Sequence, residues 1–276
     1  MDKAFIDTTI LTNALLKTGE IKKKALKALS RFSTTELPVY AIKEFKAGPL
    51  SYYVWMHNKL ASLDSFKMAL DALQRMSLTP RRYTTATAIE ALSQAAGSIA
   101  HFTPALVSKK HGENTPFDKI LCDEFRIRLK VAVIKAWKKR RSITTDVTQP
   151  LPCFVEVPPE IKRGLISLDP KDCSIEGECY LGPKLKEKPE LLIKLRNAIK
   201  NSEKAEHKCC SKTLRQIYRK PKLPVTKTEC RKLGDAYFAF FSPKDSLILT
   251  TNLSDHKILA NALNKEAISP EEIISE

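Results

Sequence analysis

The chain opens with a short apolar run, an acid and then a helical pattern. Residues 3–6 (KAFI) predict a buried strand that ends at Asp7. Apolar side chains then recur three and four positions apart over residues 10–16, which is the spacing of one face of an α-helix. The sequence therefore predicts a strand, an acid at its carboxyl end and a helix.

Helical spacing continues as far as residue 139. Residues 36–47 predict a helix with Thr34 and Thr35 as its cap and Glu44 beside its apolar face. From residue 50 to about residue 139 nearly every segment has a helical pattern, and prolines fall at the breaks. We expect this long stretch to be mainly helical.

Shorter elements return in the second half of the chain. Six prolines argue against any long helix or strand within residues 142–185. Residues 234–241 predict a buried helix with an acid in its first turn, residues 246–250 a core strand, and residues 256–264 an amphipathic helix. Strands at both ends of the chain, each next to helices, indicate an α/β fold.

The composition is that of a folded protein. The 276 residues are 43% hydrophobic and 28% charged, which is typical of a globular chain. No apolar run reaches the roughly 18 residues of a membrane helix, and two acids within the first seven residues are unlike a signal peptide. Seven irregularly spaced cysteines favour reduced thiols. We therefore expect a cytoplasmic protein with no membrane partner.

The charge favours a polyanionic partner. Lys and Arg number 47 and Asp and Glu number 31, which leaves a net charge of +16. Basic side chains that bind phosphates release condensed counterions, so nucleic acid is one candidate partner; charge for solubility is the alternative. The candidate RNA-binding residues form two basic runs: Arg81 and Arg82, and Lys138, Lys139, Arg140 and Arg141. A surface for a protein partner or inhibitor is the other interpretation of these runs.

Four acids lie at the ends of predicted elements. Asp7 and Asp255 follow strands, Asp235 opens a buried helix, and Glu44 lies on an early helix. Carboxylate oxygens are the ligands preferred by Mg²⁺ and Mn²⁺, and convergent carboxylates suit metal-assisted hydrolysis of phosphodiesters. Helix caps and turn residues are the alternative interpretation of each acid taken alone.

Four segments carry these acids in order: residues 5–11 (FIDTTIL), 40–45 (YAIKEF), 234–239 (GDAYFA) and 249–259 (LTTNLSDHKIL). Together they resemble the motifs of the PIN-domain nucleases, metal-dependent ribonucleases that include the toxins of many toxin-antitoxin pairs. The resemblance implies a parallel sheet between helices, with acids at its carboxyl edge that bind Mg²⁺ or Mn²⁺. By position, Asp7, Glu44 and Asp235 match the first three acids of the family.

The last motif departs from the family pattern. Leu253 stands where the first of two acids is expected, while Asp255 matches the second and Asn252 can offer an amide oxygen. Thr9 falls where the family often has Asn or Ser, and Thr251 completes the residues next to the site. The resemblance thus implies Asp7, Glu44, Asp235 and Asp255 as catalytic and metal-binding residues of an endoribonuclease.

The resemblance covers only the two ends of the chain. It implies a discontinuous nuclease core formed by residues 1–49 and 222–276, with residues 50–221 as a mainly helical, basic insertion. Two other functions stay open: a catalytically inactive scaffold of the same fold that binds RNA or protein, and a nuclease that cuts structured DNA. A zinc site is a further alternative; its ligands would come from Cys173, Cys179, His207, Cys209 and Cys210.

Overall fold

The computed structural model describes residues 2–77, 82–96, 110–112, 114–169 and 179–275. These residues form an α/β fold around a five-stranded parallel sheet, and a two-stranded antiparallel hairpin lies apart from it. The strands are β1 (Lys3–Ile6), β2 (Thr34–Pro38), β3 (Asp146–Thr148), β4 (Glu160–Lys162), β5 (Leu165–Ser167), β6 (Leu247–Leu249) and β7 (Ala267–Ile268). The order in the main sheet is β3-β2-β1-β6-β7, and β4 pairs with β5.

Helices flank the sheet and make up most of the chain between β2 and β6. The helices of the described residues are α1 (Thr8–Leu16), α2 (Gly19–Leu29), α3 (Val39–Phe45), α4 (Ser51–Leu63), α5 (Phe66–Ser77), α6 (Arg82–Ala96), α7 (Phe117–Lys139), α8 (Leu181–Lys186), α9 (Pro189–Ile199), α10 (Ala205–Arg219), α11 (Lys227–Leu233), α12 (Asp235–Phe241), α13 (Leu253–Asn261) and α14 (Pro270–Ser275). A π-helical turn, Lys46–Leu50, joins α3 to α4 without a break. None of the helices in these ranges combines the length and apolar character needed to cross a bilayer.

The central strand β1 is apolar because helices cover both faces of the sheet. Ala4, Phe5 and Ile6 are completely buried, as expected for a strand in the middle of a parallel sheet. Phe238 of α12 packs its ring edge against Phe5, with 6.2 Å between the ring centres, and Tyr40 of α3 stacks on Tyr237 at 3.9 Å. Helices α3 and α12 are therefore fixed against the sheet next to its carboxyl edge.

The sequence prediction for residues 34–47 is wrong at its beginning. Thr34–Pro38 is a strand, and the helix begins only at Val39, so Thr34 and Thr35 do not cap it. Strand β2 pairs in parallel with β1, with Lys3 opposite Thr34 and Phe5 opposite Glu36. The secondary structure of this segment is decided by strands from distant parts of the chain, and local helical spacing does not reveal these partners.

The predicted boundary between core and insertion also needs a correction. Strand β3 lies within residues 50–221, yet it pairs with β2 in the main sheet, with Glu36 opposite Asp146 and Pro38 opposite Thr148. The segment expected to be a helical insertion therefore supplies an edge strand of the core. The hairpin β4–β5 also lies in this segment, within the proline-rich stretch that was expected to lack long elements.

Candidate active site

Asp7 anchors the site at the carboxyl end of β1. Its carboxylate is 3% exposed and accepts hydrogen bonds from the Thr8 backbone N–H at 2.6 Å, the Thr9 hydroxyl at 2.6 Å and the Thr250 hydroxyl at 2.8 Å. Thr250 directly follows β6, the neighbour of β1. The capping interpretation of Asp7 is thus correct, since it caps α1, and these same bonds hold its carboxylate in one orientation.

Asp235 reaches the same edge from the first turn of α12. A helix that leads into a parallel strand starts at the carboxyl edge of the sheet, so the start of α12 lies near the end of β1. His256, completely buried at the start of α13, connects the two acids: its Nε2 lies 3.2 Å from Asp235 Oδ1 and 3.6 Å from Asp7 Oδ2. These are charge contacts, because neither ring nitrogen forms a well-aligned hydrogen bond within the described residues.

The charge of His256 is set by these carboxylates. Burial by itself lowers the pKa of His256, but the negative charges of Asp7 and Asp235 outweigh burial and raise it to about 9. At neutral pH the imidazole therefore carries a positive charge inside the acid cluster. No sequence pattern marks His256 as a site residue, apart from its place directly after Asp255.

Glu44 completes the cluster from α3. Its Oε2 accepts a hydrogen bond from the Thr8 hydroxyl at 2.7 Å, so Thr8 connects Glu44 to Asp7 through its side chain and its backbone. Burial raises the pKa of Glu44 to about 7, and the nearby charges of Asp7 and Asp235 add to this effect. The Glu44 carboxyl therefore exchanges its proton near neutral pH.

Asp255 lies next to the cluster. The side-chain amide of Asn252 donates to Asp235 at 3.3 Å and to Asp255 at 3.1 Å, so it bridges the two acids. Burial raises the pKa of Asp255, but hydrogen bonds from Lys204 and Asn252 more than offset it and hold the pKa below its usual value. Lys204, just before α10, forms an ion pair with Asp255, and His207 lies 3.5 Å away.

The structure thus brings together the four acids that the sequence singled out and the residues expected next to them. Thr9 bonds to Asp7, and its hydroxyl accepts from the Thr251 backbone N–H at 3.1 Å. Leu253 packs against the hydrophobic core and offers no ligand atom. The four acids form one connected network through Thr8, His256 and Asn252.

The oxygen atoms of the site are suitable ligands for a hard divalent cation, but they are not arranged as a complete coordination site. Carboxylate and amide oxygens are what Mg²⁺ and Mn²⁺ bind. Yet among the described residues no three His, Cys, Asp or Glu side chains are already placed to share one metal ion. His256 lies between Asp7 and Asp235, and Lys204 engages Asp255, so protein cations neutralise the acids in this conformation.

Of the two predicted RNA-binding runs, the described one, residues 138–141, does not lie at this site. Arg81 and the side chain of Arg82 lie outside the described residues. Arg140 and Arg141 both bind Glu156, at 2.6 Å and 2.5 Å. The run 138–141 leads into the amino end of β3, whereas the acids follow the carboxyl ends of β1 and β6. Lys138 and Lys139 are exposed at this other end of the sheet.

Within the described part of the chain, the side chains considered as zinc ligands do not form a metal site. Cys173 lies outside the described residues, and Cys209 is exposed. Cys179 instead contacts Cys153 and Cys230, whose hydrogen bonds lower the pKa of its thiol. His207 lies beside Asp255, as described above.

A pH experiment on metal-free protein tests the environment of Glu44. Its pKa is about 7 in the folded chain against an ordinary 4.5, so the folded state binds the additional proton between these values. The free energy of unfolding should therefore fall, relative to that of Glu44→Gln, as the pH rises from about 4.5 to about 7. Urea unfolding in chelator at pH 5, 6, 7 and 8 measures it. The exposed Glu190→Gln serves as control, and a pH-independent difference between wild type and Glu44→Gln would contradict the assignment.

Comparison with protein-family models, with curated proteins and with solved structures finds no match for this chain. The class of this protein is therefore described from its fold and its site alone. It is an α/β protein with a five-stranded parallel sheet and a network of acids at the carboxyl edge of that sheet.

Proposed function

We propose that the chain is a divalent-metal-dependent endoribonuclease of the PIN-like type. In this proposal Asp7, Glu44 and Asp235 are the principal ligands of Mg²⁺ or Mn²⁺, and Asp255 completes the set. A divalent cation held there would polarise the phosphodiester and make a water molecule a better nucleophile. The substrate is RNA, and a protein inhibitor or partner is an additional expectation.

The convergence of the acids supports the proposal most strongly. Asp7, Glu44 and Asp235 come from three separate parts of the chain, and each acts on the others by a shared neighbour or by charge. A cluster of like charges is costly in a folded protein, because it disfavours joint ionisation. A cluster retained at the open edge of a parallel sheet, where α/β proteins place their sites, is better explained by function than by stability.

The chain's own residues would then have distinct tasks. The hydroxyls of Thr9 and Thr250 fix the Asp7 carboxylate, and Asn252 sets the spacing between Asp235 and Asp255. The His256 cation balances Asp7 and Asp235 in the metal-free chain. In the metal-free chain Glu44, with its pKa of about 7, can hold a proton, which a bound cation would displace.

Cleavage of a mixed cellular RNA pool tests the proposal directly. Cuts should occur with Mn²⁺ and disappear with chelator, and mapping the 5′ ends of the products identifies the sites. A single-stranded DNA of matched sequence distinguishes a ribonuclease from a DNA-directed enzyme. Pure protein that produces no cuts with any divalent metal would refute the nuclease.

Metal binding should also be visible without cleavage. Mn²⁺ at about one hundred times its Kd should stabilise the wild type by about 2.7 kcal/mol, because a ligand that binds only the folded state shifts the unfolding equilibrium. Asp235→Asn should lose most of this stabilisation. Asp245→Asn is the matched control, since Asp245 pairs with Lys3 at the other end of β1. Equal shifts in all three proteins, measured by calorimetry, would place the ion elsewhere.

A catalytically inactive scaffold is the second candidate. Two observations favour it: Leu253, partly buried against the core, stands where the family has an acid, and Lys204 forms an ion pair with the remaining acid of that motif. Such a scaffold would bind RNA or a protein without cutting. RNA binding that is insensitive to Mn²⁺, together with no metal-dependent stabilisation, would support this second function over the first.

A further inference from the structure

A groove of about 680 Å³ lies between α4 and the β4–β5 hairpin. One wall is a single face of α4, on which Ser51, Trp55, Asn58 and Ser62 recur three and four positions apart. The other wall is the hairpin and the residues that follow it, up to Asp169. No residue of the acid cluster lines this groove.

A pair of hydrogen bonds joins the two walls of the groove. Asn58 Nδ2 donates to the Ile166 carbonyl at 2.8 Å, and the Ile166 N–H donates to Asn58 Oδ1 at 2.8 Å. The amide thus pairs with the backbone of β5 as a neighbouring strand would, and it joins residues 108 positions apart. Ile166 itself is buried. Both walls are therefore fixed before any ligand arrives.

The groove combines an aromatic ring with positive charge. Trp55 is partly exposed, and the Lys59 ammonium lies 5.9 Å from the centre of its ring. Lys162 and Arg163 at the hairpin turn are exposed. Asp169 is the acid among the lining residues, so three cations face one anion.

These cations are largely available to a ligand. Arg163 has no ion pair within the described residues, and it lies in the turn between β4 and β5 with a positive φ of 50°. Lys162 makes a solvent-exposed ion pair with Glu160 at 2.9 Å, and such pairs contribute little free energy. A phosphate can therefore replace this partner at small cost.

The groove lies on the helix that carries Glu44. Helix α3, the π-helical turn and α4 are continuous, and a smaller cavity at the acid cluster is lined by Glu44, Ala47 and Gly48. The Ser51 hydroxyl, which lines the larger groove, donates to the Gly48 carbonyl at 2.8 Å. The two cavities are thus neighbours along one helix. Trp55 lies eleven positions after Glu44, which corresponds to about 16 Å at the rise of an α-helix.

We propose that this groove binds single-stranded RNA, with a base stacked on Trp55 and neighbouring phosphates bound by Lys162 and Arg163. Aromatic rings flanked by cations are the general means of binding unpaired nucleotides, because every base has a stacking face. The identity of the strand as RNA rests on the proposed function. The groove would hold part of the same strand whose scissile phosphate lies at the acids.

The two tryptophans of the chain make a direct test possible. Trp137 is buried, whereas Trp55 borders the groove. A single-stranded 12-nucleotide RNA of mixed sequence, added in chelator so that no cleavage occurs, should quench Trp55 emission as it binds. In Trp55→Phe, the emission that remains from Trp137 should not respond to the RNA, while binding measured by anisotropy of a labelled strand should largely persist.

Removal of the Trp55 ring should lower the affinity for RNA, whereas removal of the cations should also change how that affinity depends on salt. Trp55→Ala should weaken binding by about 5-fold to 150-fold, which corresponds to the roughly 1 to 3 kcal/mol that base stacking contributes. The double variant Lys162→Ala/Arg163→Ala should make the salt dependence shallower by about 1.4 in slope, because each phosphate neutralised on a single strand accounts for about 0.7. The control is Lys24→Ala/Lys27→Ala, which removes two exposed cations from α2 and should leave the slope closer to that of wild type.

Three results would overturn the proposal that this groove binds single-stranded RNA. They are unchanged affinity in Trp55→Ala, equal competition by a duplex of the same sequence, and absence of binding in chelator. None of them depends on cleavage. If the chain binds RNA as expected but never cuts it, the RNA-binding groove stands and the proposed nuclease is refuted. If the chain cuts RNA with metal but Trp55→Ala binds RNA as tightly as wild type, the nuclease stands and the groove is refuted.

Discussion

Asp7→Asn should abolish metal-dependent RNA cleavage, by at least about a thousandfold, with little loss of stability. A neutral amide is a poor ligand for a divalent cation, and the metal supplies several kcal/mol of transition-state stabilisation, with each 1.4 kcal/mol worth tenfold in rate. The measurement is the initial rate of cleavage with saturating Mn²⁺, alongside the melting temperature of each variant.

The surroundings of Asp7 explain why asparagine is the right substitution. The Thr8 N–H can still donate to the remaining oxygen, while the hydroxyls of Thr9 and Thr250 can rotate and accept from the new NH₂ group. Alanine would leave all three donors unpaired in a buried position, and the protein would be destabilised for a reason unrelated to catalysis. Asp245→Asn, at the other end of the sheet, should cleave like wild type. Asp7→Asn that retains cleavage would rule out Asp7 as a ligand.

Phe238→Ala should have the largest effect on stability, a loss of about 3 to 5 kcal/mol. The ring is completely buried and packs against the rings of Phe5, Tyr40 and Tyr237. It also contacts the imidazole of His256, with 5.5 Å between the ring centres. Its removal opens a cavity between the sheet and α12, and this loss is a large part of the total stability of a typical domain.

Denaturant unfolding of Phe238→Ala measures this loss. Phe117→Ala is the matched control, because Phe117 is 71% exposed and its truncation should change stability by less than about 0.5 kcal/mol. Phe238→Leu should recover part of the loss, since it refills part of the volume. A Phe238→Ala variant as stable as Phe117→Ala would show that α12 does not depend on this packing. Because α12 carries Asp235, metal-induced stabilisation should weaken in parallel.

The strongest local signals of the sequence correspond to elements of the structure. The strand before Asp7, the helix that begins at Asp235 and the strand at Leu247–Leu249 are present as expected. Each is a contiguous buried run, whose hydrophobicity shows in the sequence whatever it packs against. The acids next to these runs could therefore be located in the sequence as well.

The partners of these elements were decided by tertiary structure. Strand β2 has the local spacing of a helix, and parallel pairing with β1 makes it a strand. Strand β3 is a three-residue edge strand within a proline-rich stretch, and it carries no periodic signal. A parallel neighbour is always distant in sequence, so local patterns do not contain it.

The residues of the candidate site follow from the sequence, whereas their contacts follow from the tertiary structure. The sequence alone determined which residues carry carboxylates next to buried strands and helices, because that depends on residue type and neighbouring pattern. Only the tertiary structure decided that His256 lies between Asp7 and Asp235 and that Lys204 pairs with Asp255. The groove between Trp55 and the hairpin likewise depends on the contact between Asn58 and Ile166. Charge and packing act through space, and folding brings these distant segments together.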